Sequence, residues 1–225
     1  MKKNGVLFDL DGTLVFTLND IQKALNYAVI NFYENEENFI SLDECRKSVG
    51  QGLKNTIRFS LADRGLSPKE SEVETMYKML MEYYALHPSD FSYAYPGVLE
   101  MLNLLKEKQF NIGVFSNKRD ELVRVILRKI FPDFEFDFVS GMGGPFKAKP
   151  DSEGLDYFRK QNNLKKDECF YVGDSEVDFK TGIKGGVKTI IVSWGFRTGE
   201  DLRNAGINDS FIVDDIEKLI KRMVR

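Results

Sequence analysis

The sequence has few cysteines and no long unbroken apolar run. Its two cysteines, Cys45 and Cys169, lie far apart and form no Cys-x-x-Cys pair, which argues against a disulfide framework or a zinc knuckle and fits a reducing cytoplasm. No apolar stretch is as long as a membrane span. The apolar start after Met-Lys-Lys is broken early by Asp9, so it predicts a first strand rather than a signal peptide. We therefore expect a cytoplasmic protein without a membrane partner.

The sequence also lacks an excess of positive charge. It has 32 Lys and Arg residues against 35 Asp and Glu residues, a net charge of −3, and no sustained basic stripe that could neutralise a run of nucleic-acid phosphates. The glycines form no Gly-x-Gly-x-x-Gly motif between a strand and a helix, so a dinucleotide site lacks support. Nucleic acid is therefore not an expected partner, whereas a small anion at one local positive site is compatible with the composition.

Short apolar segments recur along the chain and alternate, in its second half, with amphipathic segments. The apolar segments are nearly continuous, which is typical of strands buried on both faces of a parallel sheet. They lie at 5–10, 110–115, 136–140, 169–173 and 188–193. Amphipathic segments at 97–109, 119–131 and 152–163 predict the crossover helices that such a sheet requires. With 225 residues, of which 42% are hydrophobic, the chain can bury a core of this kind.

The interval from about residue 17 to residue 92 breaks this alternation, because it contains only helix-like patterns. An all-helical insertion after the first strand is the simplest interpretation. We therefore predict an α/β fold with a Rossmann-like parallel sheet in a core domain of residues 1–16 and 93–225. Residues 17–92 are predicted to form an inserted helical cap domain, with boundaries good to about 2–4 residues.

Two acidic residues, Asp9 and Asp11, follow the first predicted strand in the segment Asp-Leu-Asp-Gly-Thr. Residues two apart on a strand point the same way, and open α/β sheets bind ligands beyond the carboxyl ends of their strands. We expect both carboxylates to face one crevice, where their repulsion requires a cation or a retained proton. Asp-Gly is also an ordinary turn signal, but the preceding strand and the following Gly-Thr-Leu make this motif much more specific.

Two further segments are candidates for phosphate binding. Ser116 and Asn117 close a predicted strand just before a helix, where a hydroxyl and backbone N–H groups suit a phosphate oxygen. Taken alone, Ser-Asn is more often a simple N-cap. Lys149, in Lys-Pro-Asp, carries a compact charge that can bind a phosphate and balance clustered carboxylates. Most surface lysines have no such role, and Lys147 competes with Lys149 for it.

A second acidic segment, Gly-Asp-Ser-Glu-Val-Asp, follows the strand at 169–173 and begins another helix. Asp174 at the strand tip and Asp178 one turn into the helix can share a face, with a spacing that suits a hard cation. Acids at a helix start also simply complement the helix dipole. Acidic groups at two separate strand tips are harder to dismiss, because the fold brings such tips together.

The order of these motifs, with a helical insert between the first two, resembles the haloacid dehalogenase superfamily, specifically the branch with a helical C1 cap. The segment at 95–118 looks like that of phosphoglycolate phosphatases, and the resemblance covers essentially the whole chain. It implies a Mg²⁺-dependent phosphatase that hydrolyses small phosphorylated metabolites, with 2-phosphoglycolate as the leading candidate. We expect a monomer or a homodimer.

The resemblance also implies a role for each motif residue. Asp9 would attack phosphorus to form an aspartyl-phosphate, and Asp11 would protonate the leaving oxygen and then activate water. Mg²⁺ would be bound by Asp9, the backbone carbonyl of Asp11 and Asp174, with Asp178 supporting the metal directly or through water. The phosphoryl oxygens would be bound by Ser116, Asn117 and Lys149.

The sequence defines the substrate contacts of the cap and the exact reaction less closely than it defines the core motifs. Gly52 lies in a segment that resembles one which relatives point towards the active site, and Lys54 and Arg58 nearby are candidates for contacts with the substrate's far end. An ordinary turn opening a helix is an equal alternative. The same chemistry would serve a phosphosugar mutase or a pyrophosphatase of the superfamily. A non-hydrolytic, phosphate-responsive binding module is a further alternative, although such a module needs neither Asp11 nor a cap.

Overall fold

A computed structural model of the chain describes residues 4–224, so the first three residues and the last, all assigned to the predicted core domain, lie outside the described part. The strands are β1 (Gly5–Phe8), β2 (Val15–Phe16), β3 (Tyr93–Ala94), β4 (Asn111–Arg119), β5 (Phe138–Met142), β6 (Cys169–Gly173), β7 (Lys188–Val192) and β8 (Ile212–Val213). The helices are α1 (Leu18–Tyr33), α2 (Leu42–Ser48), α3 (Leu53–Ala62), α4 (Glu70–Leu86), α5 (Val98–Glu107), α6 (Asp120–Ile130), α7 (Glu153–Gln161), α8 (Glu176–Gly185), α9 (Gly199–Asn204) and α10 (Ile216–Met223).

Six strands form one parallel sheet in the order β5-β4-β1-β6-β7-β8, and β2 pairs with β3 in a separate two-stranded sheet. The predicted α/β fold with a parallel, Rossmann-like sheet is confirmed. The chain places β4 and β5 on one side of β1 and then returns to place β6 on the other. This reversal opens a crevice beyond the carboxyl ends of β4, β1 and β6, the usual location of a ligand in an open α/β sheet.

The sheet is buried on both faces, which explains the nearly continuous apolar strands. Along β1, Val6 and Phe8 pack into a core cluster that includes side chains of α5, α6 and α10. Leu7 points to the opposite face and joins Leu155 and Phe158 of α7. Because successive side chains of a strand point to opposite faces, a strand between two helical layers needs an apolar residue at every position.

The structure differs from the prediction at the end of β4. This strand continues through Arg119, beyond the Ser116-Asn117 pair that was predicted to close it, and its pairing with β5 is irregular between Phe115 and Arg119. The N-cap of α6 is Arg119. The alternative interpretation of Ser116 as a simple N-cap is therefore wrong, because Ser116 lies within the strand. The short elements α2, β8, α9 and α10 had no predicted counterpart.

The described chain divides into two compact units. The core unit comprises the described residues up to Phe16 and those from Ala94 onwards, and the helical unit is Thr17–Tyr93. In the helical unit, α1 packs against α2 and α4, and α3 packs against α2 and α4. The buried Asn26 side chain ties α1 to the following loop by bonding both the N–H and the carbonyl of Ile40, at 2.6 and 2.8 Å. Among residues 4–224, no helix has both the length and the apolar character needed to cross a bilayer.

Candidate active site

Asp9 lies directly beyond β1, between the tips of β4 and β6. Its backbone N–H donates to the carbonyl of Val172 in β6 at 2.8 Å, so the end of β1 is fixed beside the segment that carries Asp174. The chain then turns at Gly12, which has φ of +84°. A Cβ atom at Gly12 would lie 2.2 Å from Oδ2 of Asp174, so only glycine lets the turn approach this carboxylate. The motif thus serves both as a turn and as a support for the acidic residues.

Three carboxylates meet at the crevice. Asp9, Asp174 and Asp178 are all buried, and each offers an oxygen atom within 4.8 Å of the other two. Burial raises the pKa of Asp9 to about 7, with Lys149 opposing this shift and Asp178 and Asp11 adding to it. Burial, together with Asp178 and Asp9, also raises the pKa of Asp174 well above its usual range. The two strand tips are therefore close enough for Asp9 and Asp174 to share one ion.

The donor set fits a hard divalent cation. All candidate ligand atoms are carboxylate oxygens, the ligand type that Mg²⁺ and related cations prefer. The raised pKa values of Asp9 and Asp174 reflect burial of mutually repelling charges, which a cation between them would relieve. The residues present thus suit a metal of this class.

Lys149 provides positive charge to this cluster. Its Nζ atom lies 2.8 Å from Oδ1 of Asp9 and 2.7 Å from Oδ1 of Asp178. Burial alone would lower the pKa of Lys149, but the charges of Asp178 and Asp9 outweigh this effect and raise it. Lys149 therefore stays protonated. Lys147, the competing lysine of the sequence, is exposed.

Asp178 supports Lys149 and the start of α8. Its Oδ1 atom accepts from Lys149 at 2.7 Å and from the Tyr171 hydroxyl at 3.1 Å. Its Oδ2 atom accepts from the hydroxyl of Ser175 at 2.6 Å and from the backbone N–H of Ser175 at 3.2 Å, in a capping box. Asp178 therefore accepts hydrogen bonds on both oxygens, and its role at the helix start coexists with its place in the carboxylate cluster.

Asn117 and Ser116 take different positions at the end of β4. The side-chain amide of Asn117 bonds the main chain of Lys149 on both sides, accepting from its N–H at 2.8 Å and donating to its carbonyl at 3.0 Å. Asn117 thereby fixes the backbone from which Lys149 reaches Asp9. The Ser116 hydroxyl is buried and accepts from the N–H of Lys118 at 3.2 Å. Phosphate binding by Ser116 and Asn117 stays a prediction.

Comparison with known proteins agrees with this architecture. The sequence profile of the haloacid dehalogenase-like hydrolases matches residues 6–192. A phosphoglycolate phosphatase of Cereibacter sphaeroides is 31% identical over 222 residues, which cover 98% of this chain and 99% of that protein. One of Pseudomonas savastanoi pv. phaseolicola is 29% identical over 217 residues, or 96% of this chain and 78% of that protein. The chain belongs to the haloacid dehalogenase-like hydrolases.

Solved structures share the fold of this hydrolase. A crystal structure from Lactobacillus delbrueckii subsp. bulgaricus is 29% identical and covers 99% of both chains, with a TM-score of 0.88. That of a predicted phosphatase from Clostridium acetobutylicum is 27% identical, covers 100% of this chain and 99% of the other, and has a TM-score of 0.82. The family resemblance stated from the motifs is confirmed.

The hydrolase also has residues near the carboxylates that the sequence motifs did not single out. The backbone N–H of Phe196 donates to Oδ2 of Asp174 at 2.7 Å. A Cβ atom at Gly195 would lie 2.3 Å from the carbonyl oxygen of Gly12 and 2.4 Å from Oδ2 of Asp174. Trp194 donates from its indole nitrogen to the carbonyl of Thr13 at 3.2 Å. The segment after β7, which carries none of the sequence motifs, thus orients Asp174.

Two further residues near the carboxylates become apparent from the periodicity of the observed strands. Tyr171 lies two residues before Gly173 in β6, and Lys118 lies two residues after Ser116 in β4, so each shares a strand face with a motif residue. The Nζ atom of Lys118 lies 2.8 Å from Oδ1 of Asp11. In the sequence, Tyr171 looks like any apolar strand residue, and nothing distinguishes Lys118 from a surface lysine, so neither stands out as a site residue.

The candidate cap residues of the hydrolase lie at the start of α3 in the helical unit. Gly52 is its N-cap, with φ of +86°, and Lys54 and Arg58 follow on the helix. Lys54 pairs with Glu74, and Arg58 pairs with Glu70 at 2.7 Å. Their contact with a substrate stays a prediction.

Proposed function

We propose that this hydrolase is a Mg²⁺-dependent phosphatase that cleaves small phosphomonoesters through an aspartyl-phosphate on Asp9. The observation that carries the proposal is the buried Asp9 carboxylate at the tip of β1, close to Asp174 and 2.8 Å from Lys149. An anionic nucleophile can meet an anionic phosphate only where positive charge offsets their repulsion. Named relatives support the class, because the chain is 27–31% identical to several phosphoglycolate phosphatases.

In the first step, a carboxylate oxygen of Asp9 forms a bond to phosphorus while the bond from phosphorus to the ester oxygen breaks. The Asp11 carboxyl group gives its proton to the departing oxygen, which leaves as a neutral alcohol. Lys149 neutralises charge on Asp9 and on the phosphoryl oxygens, and its burial keeps bulk water from screening this interaction. The products are the alcohol and the aspartyl-phosphate.

In the second step, the Asp11 carboxylate removes a proton from water, whose oxygen then bonds to phosphorus. The bond between Asp9 and phosphorus breaks, which releases inorganic phosphate and restores both carboxyl groups for the next cycle. Asp11 can act as acid and then as base because the first step leaves it deprotonated. The Ser116 hydroxyl is proposed to donate to a phosphoryl oxygen in both steps.

Mg²⁺ would be bound by the carboxylates of Asp9 and Asp174 and the backbone carbonyl of Asp11, with Asp178 supporting the site. Such an ion supplies positive charge that neutralises the phosphoryl oxygens and the clustered carboxylates. The proposed substrate is 2-phosphoglycolate, because that is the substrate class named for the relatives.

The proposal is tested by measuring phosphate release from a panel of phosphorylated metabolites with Mg²⁺, comparing the native chain with Asp9→Asn. We expect the highest kcat/KM on 2-phosphoglycolate and no turnover by Asp9→Asn, while the exposed control Asp133→Asn stays active. Acid-quenched native protein should retain phosphate on Asp9. Substantial hydrolysis by Asp9→Asn would remove the nucleophile assignment, and activity that survives exhaustive chelation would refute the metal.

The role of Asp11 has a separate test. Asp11→Asn should still bind phosphate but slow both chemical steps by about 10²–10⁴-fold, the usual contribution of general acid-base catalysis. Rapid-quench measurements of aspartyl-phosphate formation and decay separate the two steps. An unchanged rate for both would show that Asp11 is not the proton carrier.

A further inference from the structure

A second buried lysine lies beside the proposed proton carrier. The side chain of Lys118 is 2% exposed, and its Nζ atom lies 2.8 Å from Oδ1 and 3.1 Å from Oδ2 of Asp11. Burying an ammonium group is costly unless it is paired. The steps proposed above give Lys118 no task, although its charge reaches both oxygens of the group that must pass the proton.

The backbone of β4 explains how Lys118 reaches Asp11. Ser116 and Lys118 are two residues apart on the strand and both are buried, so their side chains lie on the same face of β4. The Ser116 hydroxyl accepts from the backbone N–H of Lys118 at 3.2 Å, which ties the two residues together. The irregular pairing of β4 with β5 between Phe115 and Arg119 accompanies this local arrangement.

The two buried lysines serve different carboxylates. Lys149 lies between Asp9 and Asp178, and Lys118 lies against Asp11. Lys149 is therefore placed to act on the nucleophile, whereas Lys118 is placed to act on the acid. Substitutions of the two lysines should therefore have different kinetic effects, because protonation by Asp11 is the part of the first step that depends on the leaving group.

We propose that Lys118 is a positioning residue that holds the Asp11 carboxyl group in the orientation for proton transfer to the leaving oxygen. This inference rests on the proposed function. Contacts from one ammonium to both carboxyl oxygens restrict rotation of the Asp11 side chain. In the transfer, the O–H bond of Asp11 breaks and its proton bonds to the leaving oxygen as the bond from that oxygen to phosphorus breaks. Lys118 keeps its own protons and pairs with the Asp11 carboxylate that remains.

If Lys118 positions Asp11, the effect of substituting Lys118 should depend on the leaving group of the substrate. An alkyl oxygen departs as a strongly basic alkoxide unless it is protonated, whereas a nitrophenolate departs without help. Misplacing Asp11 should therefore slow the first step, formation of the aspartyl-phosphate, far more with alkyl phosphates than with nitrophenyl phosphates. A lysine that merely binds the phosphoryl group, or merely stabilises the fold, would affect both classes alike.

The test compares Lys118→Met with the exposed-lysine control Lys108→Met on phosphate esters that range from alkyl to nitrophenyl. We expect Lys118→Met to lose about 10–100-fold in kcat/KM on alkyl phosphates, the range found when a residue that orients a metal ligand is removed, with little change in kcat/KM on nitrophenyl phosphates. We compare kcat/KM because it reports formation of the aspartyl-phosphate, whereas the second step is the same for every substrate. Lys118→Arg, which keeps the charge, should recover part of the alkyl rate. Thermal unfolding identifies any variant that fails to fold, in which case Lys118→Gln takes the place of Lys118→Met.

A double-mutant cycle with Asp11→Asn completes the test. If Lys118 acts through Asp11, adding Lys118→Met to Asp11→Asn should cause no further loss on alkyl phosphates. The inference would be overturned if Lys118→Met lost no activity, or lost the same activity with every leaving group. It would also be overturned if the effects of Lys118→Met and Asp11→Asn were fully additive. A native chain that hydrolyses no phosphomonoester would defeat the proposed function instead, so the two failures are distinguishable.

Discussion

The charged side chains of the core unit and of the helical unit are paired in different surroundings. Lys149 contacts Asp9 and Lys118 contacts Asp11, and their side chains are only 3% and 2% exposed. In the helical unit, Lys54 and Arg58 pair with glutamates while remaining 40% and 35% exposed. Charge interactions strengthen as water is excluded, and exposed ion pairs contribute little to stability. The two buried lysines are thus held in fixed positions against carboxylates, whereas Lys54 and Arg58 remain partly accessible to solvent.

The largest effect expected from this difference is that of removing Lys149. Lys149→Met should lower kcat/KM for the best substrate by about 10²–10³-fold, comparable to the loss of one donor that stabilises charge in a transition state. The physical reason is that Asp9 and the phosphoryl group would then repel each other without a buried counter-charge. Steady-state phosphate release measures the effect.

Lys106→Met is the matched control in the same unit, because Lys106 forms an exposed ion pair with Asp137 at 3.3 Å. It should leave kcat/KM unchanged. A similar loss in both variants would mean that burial does not separate functional from surface lysines in the core unit.

A smaller effect is expected from Gly195→Ala. The added methyl group would meet the carbonyl oxygen of Gly12 at 2.3 Å and Oδ2 of Asp174 at 2.4 Å, so the carboxylate must shift. Displacing a metal ligand through its neighbour should cost about 10–100-fold in metal affinity or activity. Titration of activity with Mg²⁺ should show a higher half-saturating concentration.

Gly199→Ala provides the control, because a Cβ atom there meets nothing closer than the flexible end of Arg203 at 3.5 Å. Its Mg²⁺ titration should match that of the native chain. Equal curves for Gly195→Ala and the native chain would show that the segment after β7 does not orient Asp174.

The comparison also explains which parts could be predicted from sequence. The sheet could be predicted because a strand covered on both faces needs apolar residues throughout. Asp9 and Asp174 could be predicted as site residues because they directly follow such strands. The short β8 and α10 were not, because two to eight residues carry too little periodic pattern.

Lysine positions could not be assigned from sequence for a different reason. Lys147 and Lys149 have the same chemistry and similar neighbours along the chain, and only the folded structure buries Lys149 against Asp9. Similarly, Lys118 differs from an ordinary surface lysine only because β4 extends past Ser116 and carries its side chain to Asp11. Burial of a long charged side chain depends on tertiary packing rather than on local pattern.

A third prediction concerns pH and the metal. The pKa of Asp9 is raised from 3.8 to about 7, and that of Asp174 is raised as well, so the metal-free folded state holds protons that the unfolded chain has lost. These groups therefore reduce stability as pH rises from about 4 to about 7. Mg²⁺ binds the deprotonated carboxylates and should raise the melting temperature more at about pH 8 than at about pH 5.

At the higher pH, the free energy of unfolding should rise by about 1.4 kcal/mol for each tenfold excess of Mg²⁺ over its Kd. For a chain of this size, this corresponds to a rise in melting temperature of about 3–6 °C. Taking the difference with and without Mg²⁺ at each pH cancels the contributions of other carboxylates. Asp174→Asn should abolish most of the gain. An equal or larger gain at the lower pH would contradict the placement of the metal among these carboxylates.

The smallest effect is expected in the helical unit, where Arg58 pairs with Glu70 at the surface. If Arg58 contacts the far end of the substrate, Arg58→Gln should raise KM for 2-phosphoglycolate several-fold and leave kcat unchanged, because uniform binding affects KM alone. Phenyl phosphate, which lacks the distal carboxylate, should show no change. Lys47→Gln removes a comparable exposed pair with Asp43 in the same unit and should alter neither constant. Each exposed pair contributes at most about 1 kcal/mol to stability, so neither substitution should unfold the helical unit. A KM change shared by both variants would point to a general effect on that unit. An unchanged KM with Arg58→Gln would show that Arg58 does not contact the substrate.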